Sequence, residues 1–267
     1  MRKLTTIIGA IIIIGMALVA ITAPWIAPYN PNTYNLEHQF EGPDRSHPFG
    51  LDENGRDEIS RVIYGARVSM GIGIAVVTIA GIIGTIIGLI VGYFGGRYDE
   101  WFTFISNIFM AFPGILLAIA MAAFQRRPSI FNVVIILSAV GWVGYARLVR
   151  GQVLSLRERE FVQAARSVGV PPRRIFLRHL LPNIAGPLVI NATFGMAGVI
   201  LAESTLSFLG LGVPISTPSW GAMLDTGTQF ILIAPHLSIF PGIAIMLVVL
   251  GFNFLGDGLR DRLDKKS

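Results

Sequence analysis

The chain of 267 residues contains no cysteine, so disulfides, thiolate metal sites and cysteine nucleophiles are excluded, while the cellular compartment stays open. Charge is scarce as well. Charged residues make up 14%, against about a quarter in an ordinary soluble domain, while hydrophobic residues reach 53% and mean hydropathy is +0.65. That balance describes a core built to face lipid. No GxxxxGK[ST] occurs, so the chain has no phosphate-binding loop of the ATPase kind. His38, His47, His179 and His236 are scattered, without HExxH or other ligand spacing, which argues against a metal centre. GxSxG is missing too, which weakens a serine-hydrolase reading. A sequence pI near 9.9 is explained by basic residues beside membrane spans better than by nucleic-acid binding.

What is present is a series of apolar runs. Leu4–Ala23 follows Arg2-Lys3, lacks a good A-x-A cleavage site and stops at Pro24, so it reads as a retained helix rather than an export signal. Its length suffices to cross a bilayer of about 30 Å at 1.5 Å per residue. Further spans are expected over 68–94, 101–124, 130–148, 184–208 and 235–254. Six spans put both termini on one side. If the termini, the Gly95–Glu100 turn and the Arg147–Arg178 segment are cytoplasmic, that side holds most of the 21 lysines and arginines. The other side keeps Arg45, Arg56, Arg61, Arg67, Arg126 and Arg127, so the positive-inside rule favours cytoplasmic termini. The polar segment 24–67 is rich in turn formers and is expected to end in a short interfacial helix, 52–64. One membrane domain, 1–267, is expected, with a cytoplasmic loop over 149–183.

Inside that loop, Phe161–Asn183 (FVQAARSVGVPPRRIFLRHLLPN) is a polar island between apolar runs, and reads as a helix–turn–helix. Ser155 and Glu158 have capping-box spacing, and Phe161, Ala165 and Val168 recur at helical intervals. Gly169 suits a helix C′ position, Pro171-Pro172 forbid continuation, and Pro182 marks the next boundary. Ala164 and Ala165 leave a shallow surface for another protein. A docking element fits this pattern better than a linker.

Other constellations carry two readings each. Gly84, Gly88 and Gly92 form GxxxGxxxG, suited to packing within one bundle or to a seam between subunits. Glu203, twelve residues after Asn191 in the fifth span, either lines a translocation path with it or orders a helix end. Arg56, Asp57, Arg61 and Arg67 either contact an acidic docking face or a peptide carboxylate, or form intramolecular ion pairs in an interfacial helix.

A family resemblance rests on these residues. Ala164-Ala165, Gly169 and Leu181-Pro182 resemble the EAA loop of permease subunits in ABC importers, which contacts the ATPase. HPFGLDENGRDEISRVIYGARVSMGIG (His47–Gly73), LAESTLSFLGLG (Leu201–Gly212), PSWGAML (Pro218–Leu224) and FNFLGDGLRDRLD (Phe252–Asp264) are similar to the C-type permease of dipeptide, oligopeptide and nickel importers. Gln163 departs from the motif, whose naming position is usually Glu. The resemblance implies an all-α, six-span, type I importer permease in a bacterial or archaeal cytoplasmic membrane. Its coupling residues would be Phe161, Gln163, Ala164, Ala165, Gly169, Pro171, Arg174, Leu181 and Pro182. It also implies a sister B-type permease, two cytoplasmic ATPases carrying ATP and Mg, and an extracytoplasmic binding protein, with no cofactor on this chain. Di- or oligopeptides are the expected cargo, with nickel or another small solute as the alternative. An intramembrane peptidase is the rival from another class. It would need a base near Ser204 or Ser207, and no histidine lies in that span. A passive channel would leave the docking loop without a purpose.

Overall fold

The computed structural model describes residues 2–125, 128–214 and 216–264. Arg126, Arg127, Lys265 and Lys266 of the charge argument lie outside them. The described residues are helical apart from turns and one isolated bridge, Leu51 to Asp57. Five helices are long and apolar enough to span a membrane: α1 (Arg2–Ile26), α2 (Glu58–Phe94), α5 (Ile130–Leu156), α8 (Leu181–Phe208) with the turns before it, and α10 (His236–Asp264). Between α2 and α5 lie α3 (Gly96–Ala111) and α4 (Gly114–Ala123). Short α6 (Glu160–Ser167) and α7 (Pro172–Ile175) precede α8, and α9 (Trp220–Gln229) follows it.

The third apolar run is not the straight helix expected for 101–124. It bends by 81° between α3 and α4. Pro113 explains the break: it supplies no N–H, and it drives the preceding Phe112 to extended angles (φ −110°, ψ 143°). The chain still crosses here. Gly92 at the end of α2 meets Val153 near the end of α5, whereas Ile136 near the start of α5 clusters with Ile72 and Leu206 at the other end. The bent pair is therefore the sixth traverse.

Helix α2 runs for 37 residues, about 55 Å. It absorbs most of the interfacial helix expected at 52–64, because nothing in the sequence breaks it before Gly95 (φ 66°). Asp57 starts it, its Oδ2 accepting from Ser60 N at 2.9 Å. On one face Gly84, Gly88 and Gly92 let α5 approach: a Cβ on Gly88 would sit 2.7 Å from Ala146 O and from Val149 Cβ. The glycine stripe thus packs within the bundle. Helix α1 lies antiparallel along α10, with Gly9 against Gly251 O and Thr6 against Gly258, so both termini share one end. Outward-facing Leu4, Ile11, Ile21, Ile82 and Leu250 stay exposed, as a lipid-facing bundle requires.

At the end opposite the termini, residues 27–57 fold into a cap. Arg56, 2% exposed, donates from Nε to Asp52 Oδ2 at 2.7 Å and from Nη2 to Glu53 Oε1 at 2.8 Å, while Arg61 Nε reaches Asp52 at 3.3 Å. The clustered charges seen in the sequence are thus paired within the chain, Arg56 and Arg61 with Asp52 and Glu53, and Asp57 with His47, whose Nδ1 lies 2.8 Å away. Arg67 is exposed and stands apart from these pairs. Burial, with Asp52 beside it, pushes the Glu53 carboxyl above its usual range. Phe49 stacks on Phe240 at 3.8 Å, fastening the cap to α10.

Candidate functional site

Where α5 ends, the chain turns sharply at the terminal end of the bundle. Helix α5 continues through Leu156, so Ser155 lies in its last turn and does not cap α6. The expected capping box is absent: Arg159 is the N-cap of α6, with no side-chain bond. Helix α5 outruns the signal because Arg157 N still bonds Val153 O at 2.9 Å and its Nη1 donates to Gly92 O at 3.1 Å. Gln163 then secures α6 from the other side, its Nε2 donating to Arg157 O at 3.1 Å. A glutamate there would have no proton to donate to that carbonyl. The departure at this position therefore has a local use.

Helix α6 ends as its sequence demands. Gly169 adopts φ +77°, Gly169 N bonds Arg166 O and Val170 N bonds Ala165 O, both at 3.0 Å. These are the two bonds of a Schellman termination. Pro171 is extended and Pro172 opens α7. Pro182, expected to be a boundary, is not one. The helix widens to a π turn over Phe176–Leu180, with Leu181 N bonded to Phe176 O, and passes straight into α8. A five-residue turn accommodates a proline that has no N–H and would crowd the carbonyl four residues back. Asn183 Nδ2 donates to His179 O at 2.6 Å, satisfying a carbonyl in the widened turn.

Two faces of this element differ sharply. Val162, Ile175, Leu180 and Ile184 are fully buried and Ala165 nearly so, packed with Leu89, Tyr93, Val149 and Val153 of α2 and α5. Arg166 lies over the Tyr93 ring at 5.0 Å, and Phe176 meets that ring edge-on at 5.1 Å. The opposite face carries Phe161 (42% exposed), Ala164 and Val168 (79% exposed). Spacings of three and four place them in one apolar stripe along α6. Phe161 and Val168, grouped with Ala165 by the sequence pattern, thus point the other way. Pro171, Arg174 and Pro182 are exposed, and Leu181 is half-buried.

Glu203 and Asn191 are not brought together. They lie about 18 Å apart along α8. Asn191 is half-buried, whereas Glu203 is fully buried and accepts from Ser69 Oγ (3.1 Å) and Ser207 Oγ (2.9 Å). Closer to the loop, an open apolar groove of about 510 Å³ runs between α2 and α8, lined by Thr78, Ile82, Tyr145, Leu188 and Ala192.

The chain thus combines a bundle of membrane-length helices with a short helical loop whose apolar stripe faces outward. Comparison with known proteins gives the family. Residues 84–267 match the binding-protein-dependent transport system inner membrane component, and residues 2–43 match the N-terminal TM domain of oligopeptide transport permease C. The dipeptide transport system permease protein DppC of Alkalihalophilus pseudofirmus is 46% identical over 260 residues, covering 97% of this chain and 85% of that protein. The glutathione transport system permease protein GsiD of Escherichia coli O157:H7 is 43% identical over 266 residues, covering 99% and 88%. Among solved structures, the inward-facing MetNI methionine ABC transporter superposes with a TM-score of 0.59 at 22% identity, over 78% of this chain and 96% of that one. The chain belongs to the binding-protein-dependent permeases of ABC importers. It is a multi-pass, non-catalytic membrane subunit that works with ATP-binding subunits, a substrate-binding protein and a sister permease.

Proposed function

We propose that this chain is the C-type permease of a short-peptide importer and that Phe161–Asn183 is its coupling element. The observation that carries the coupling role is the two-faced loop. One face is locked to α2 and α5 by fully buried Val162, Ile175 and Leu180, and the other presents exposed Ala164 and Val168 with Phe161, whose ring meets only the His179 ring among the described aromatic contacts. A surface so held transmits displacement instead of absorbing it. Two ATPases, loaded with ATP and Mg, grip this loop and its counterpart on a B-type sister chain from the cytoplasm, with both termini of this chain on that side. ATP binding favours the closed ATPase pair, which pulls the loop and opens the pathway outward; hydrolysis resets it. ATP thus acts through its unequal affinity for the two states.

Short peptides are the proposed cargo, because the relatives are named for dipeptide and glutathione transport and glutathione is itself a tripeptide. The test reconstitutes the permease pair with its ATPases and binding protein in liposomes and compares ATP-driven uptake of a dipeptide, glutathione and nickel ion. Dipeptide or glutathione accumulation supports the reading, and nickel accumulation alone overturns the cargo. In the same liposomes, Ala164→Trp and Gly169→Val should weaken ATPase binding or uncouple hydrolysis from uptake. Wild-type uptake in both would remove the loop from the mechanism.

A further inference from the structure

Glu203 does more than end a helix. Ser69 Oγ, from α2, donates to Oε2, and Ser207 Oγ, one turn on in α8, donates to Oε1. Ser219, the N-cap of α9, lies beside the same carboxylate, its own oxygen accepting from Ala222 N at 3.3 Å. Ser207 Oγ in turn accepts from Val213 N at 3.2 Å, inside the connector between α8 and α9. One carboxylate therefore ties α2 to α8 and, through Ser207, to the connector that leads into α9. The surroundings leave no slack: a Cβ on Gly221 would lie 2.5 Å from Ser204 Cα, and buried Trp220 donates to Val62 O at 3.0 Å.

The same helix reaches the coupling loop. From Pro172 to Phe208 the chain is one helical path of 37 residues, about 55 Å long. We propose that Glu203 is a positioning residue, the pin through which a displacement of α8 at the coupling loop moves α9 and its connector at the opposite end of the bundle. This rests on the coupling role proposed above for Phe161–Asn183. Directional hydroxyl–carboxylate bonds suit a pin, because sliding any one element leaves a buried polar atom unpaired, which is costly. Packing alone would be served by an apolar side chain, without burying a carboxyl group in a membrane span. Contact with the solute does not fit, since Glu203 is 0% exposed and both oxygens are engaged.

Two variants test the pin in the full reconstituted complex. Glu203→Gln keeps the volume but replaces one acceptor by a donor, and Ser69→Ala removes the α2 donor alone. Each should assemble and should raise the ATP hydrolysed per solute imported by about fivefold or more, the scale of one lost buried hydrogen bond. The KM for solute should be unchanged. A shifted KM at a normal ratio would make Glu203 a solute-contacting group and overturn the proposal. Poor assembly of Glu203→Gln together with a normal ratio in Ser69→Ala would make it purely structural, and would also overturn it. Ala164→Trp serves as the control. If it uncouples while both pin variants keep the wild-type ratio, the pin fails alone; if it too couples normally, the coupling-loop reading fails and the pin with it.

Discussion

Gly169 allows a prediction whose size follows from the backbone alone. A Cβ added there meets nothing within 4 Å, so a substitution brings no clash. What it does meet is φ +77°, a left-handed conformation that costs an ordinary L-residue roughly 1–2 kcal/mol. Two bonds depend on that conformation, Gly169 N to Arg166 O and Val170 N to Ala165 O. If the strain is relieved by opening the turn, the docking-competent loop becomes less populated, and apparent ATPase affinity falls by the same factor. At ~1.4 kcal/mol per decade, Gly169→Val should weaken ATPase binding by about five- to thirtyfold. Asparagine tolerates the left-handed region, so Gly169→Asn should stay near wild type, with Gly169→Ala between the two. The assay is titration of purified ATPase subunits onto permease pairs in nanodiscs carrying each variant. A series ordered by side-chain volume, with Asn as harmful as Val, would refute the backbone argument. So would wild-type affinity in Gly169→Val.

Gly88→Leu should abolish recovery of folded permease, since its Cβ would lie 2.7 Å from Val149 Cβ in the α2–α5 seam; normal yield after detergent extraction would contradict that packing. Arg56→Ala leaves Glu53 without its cation and Asp52 with Arg61 alone, and should cost about 3 kcal/mol locally, the low end for a broken buried pair. The readout is proteolysis between residues 27 and 57, which should become fast while the span helices stay protected. Because the chain has no cysteine, single cysteines report topology directly. One at Asp44 should label from outside intact cells and one at Arg157 should not, and the reverse pattern would invert the orientation.

Much of the architecture was legible because membrane spans and helix punctuation are local. The apolar runs located the long helices, and Gly169 with Pro171-Pro172 located the turn between α6 and α7. Local signals also misled. Ser155 with Glu158 has capping-box spacing, yet Arg157 extends α5 past it by bonding Gly92 O. Pro182 looked like a stop, but a π turn carries the helix through it. Pro113 was present to be read as a break in the third run and marks the 81° bend. The polar knot could not be read at all. Ser69 and Glu203 are separated by 134 positions, and nothing in a serine's sequence context says which distant carboxylate it will face. The outward stripe is an intermediate case: Phe161 and Val168 were visible as apolar helix positions, but which face they occupy depends on Val162 and Ala165 burying against α2 and α5.

The central claim is that the α6 stripe is where the ATPase docks. A photo-cross-linking residue in place of Val168, 79% exposed on that stripe, tests it in the assembled complex. A second probe in place of Leu232, 97% exposed between α9 and α10, is the control at the far end. On illumination the Val168 probe should capture an ATPase subunit, with a yield that changes when ATP is added, and the Leu232 probe should capture none. Failure to trap an ATPase from Val168, or its capture from Leu232 instead, would contradict the account.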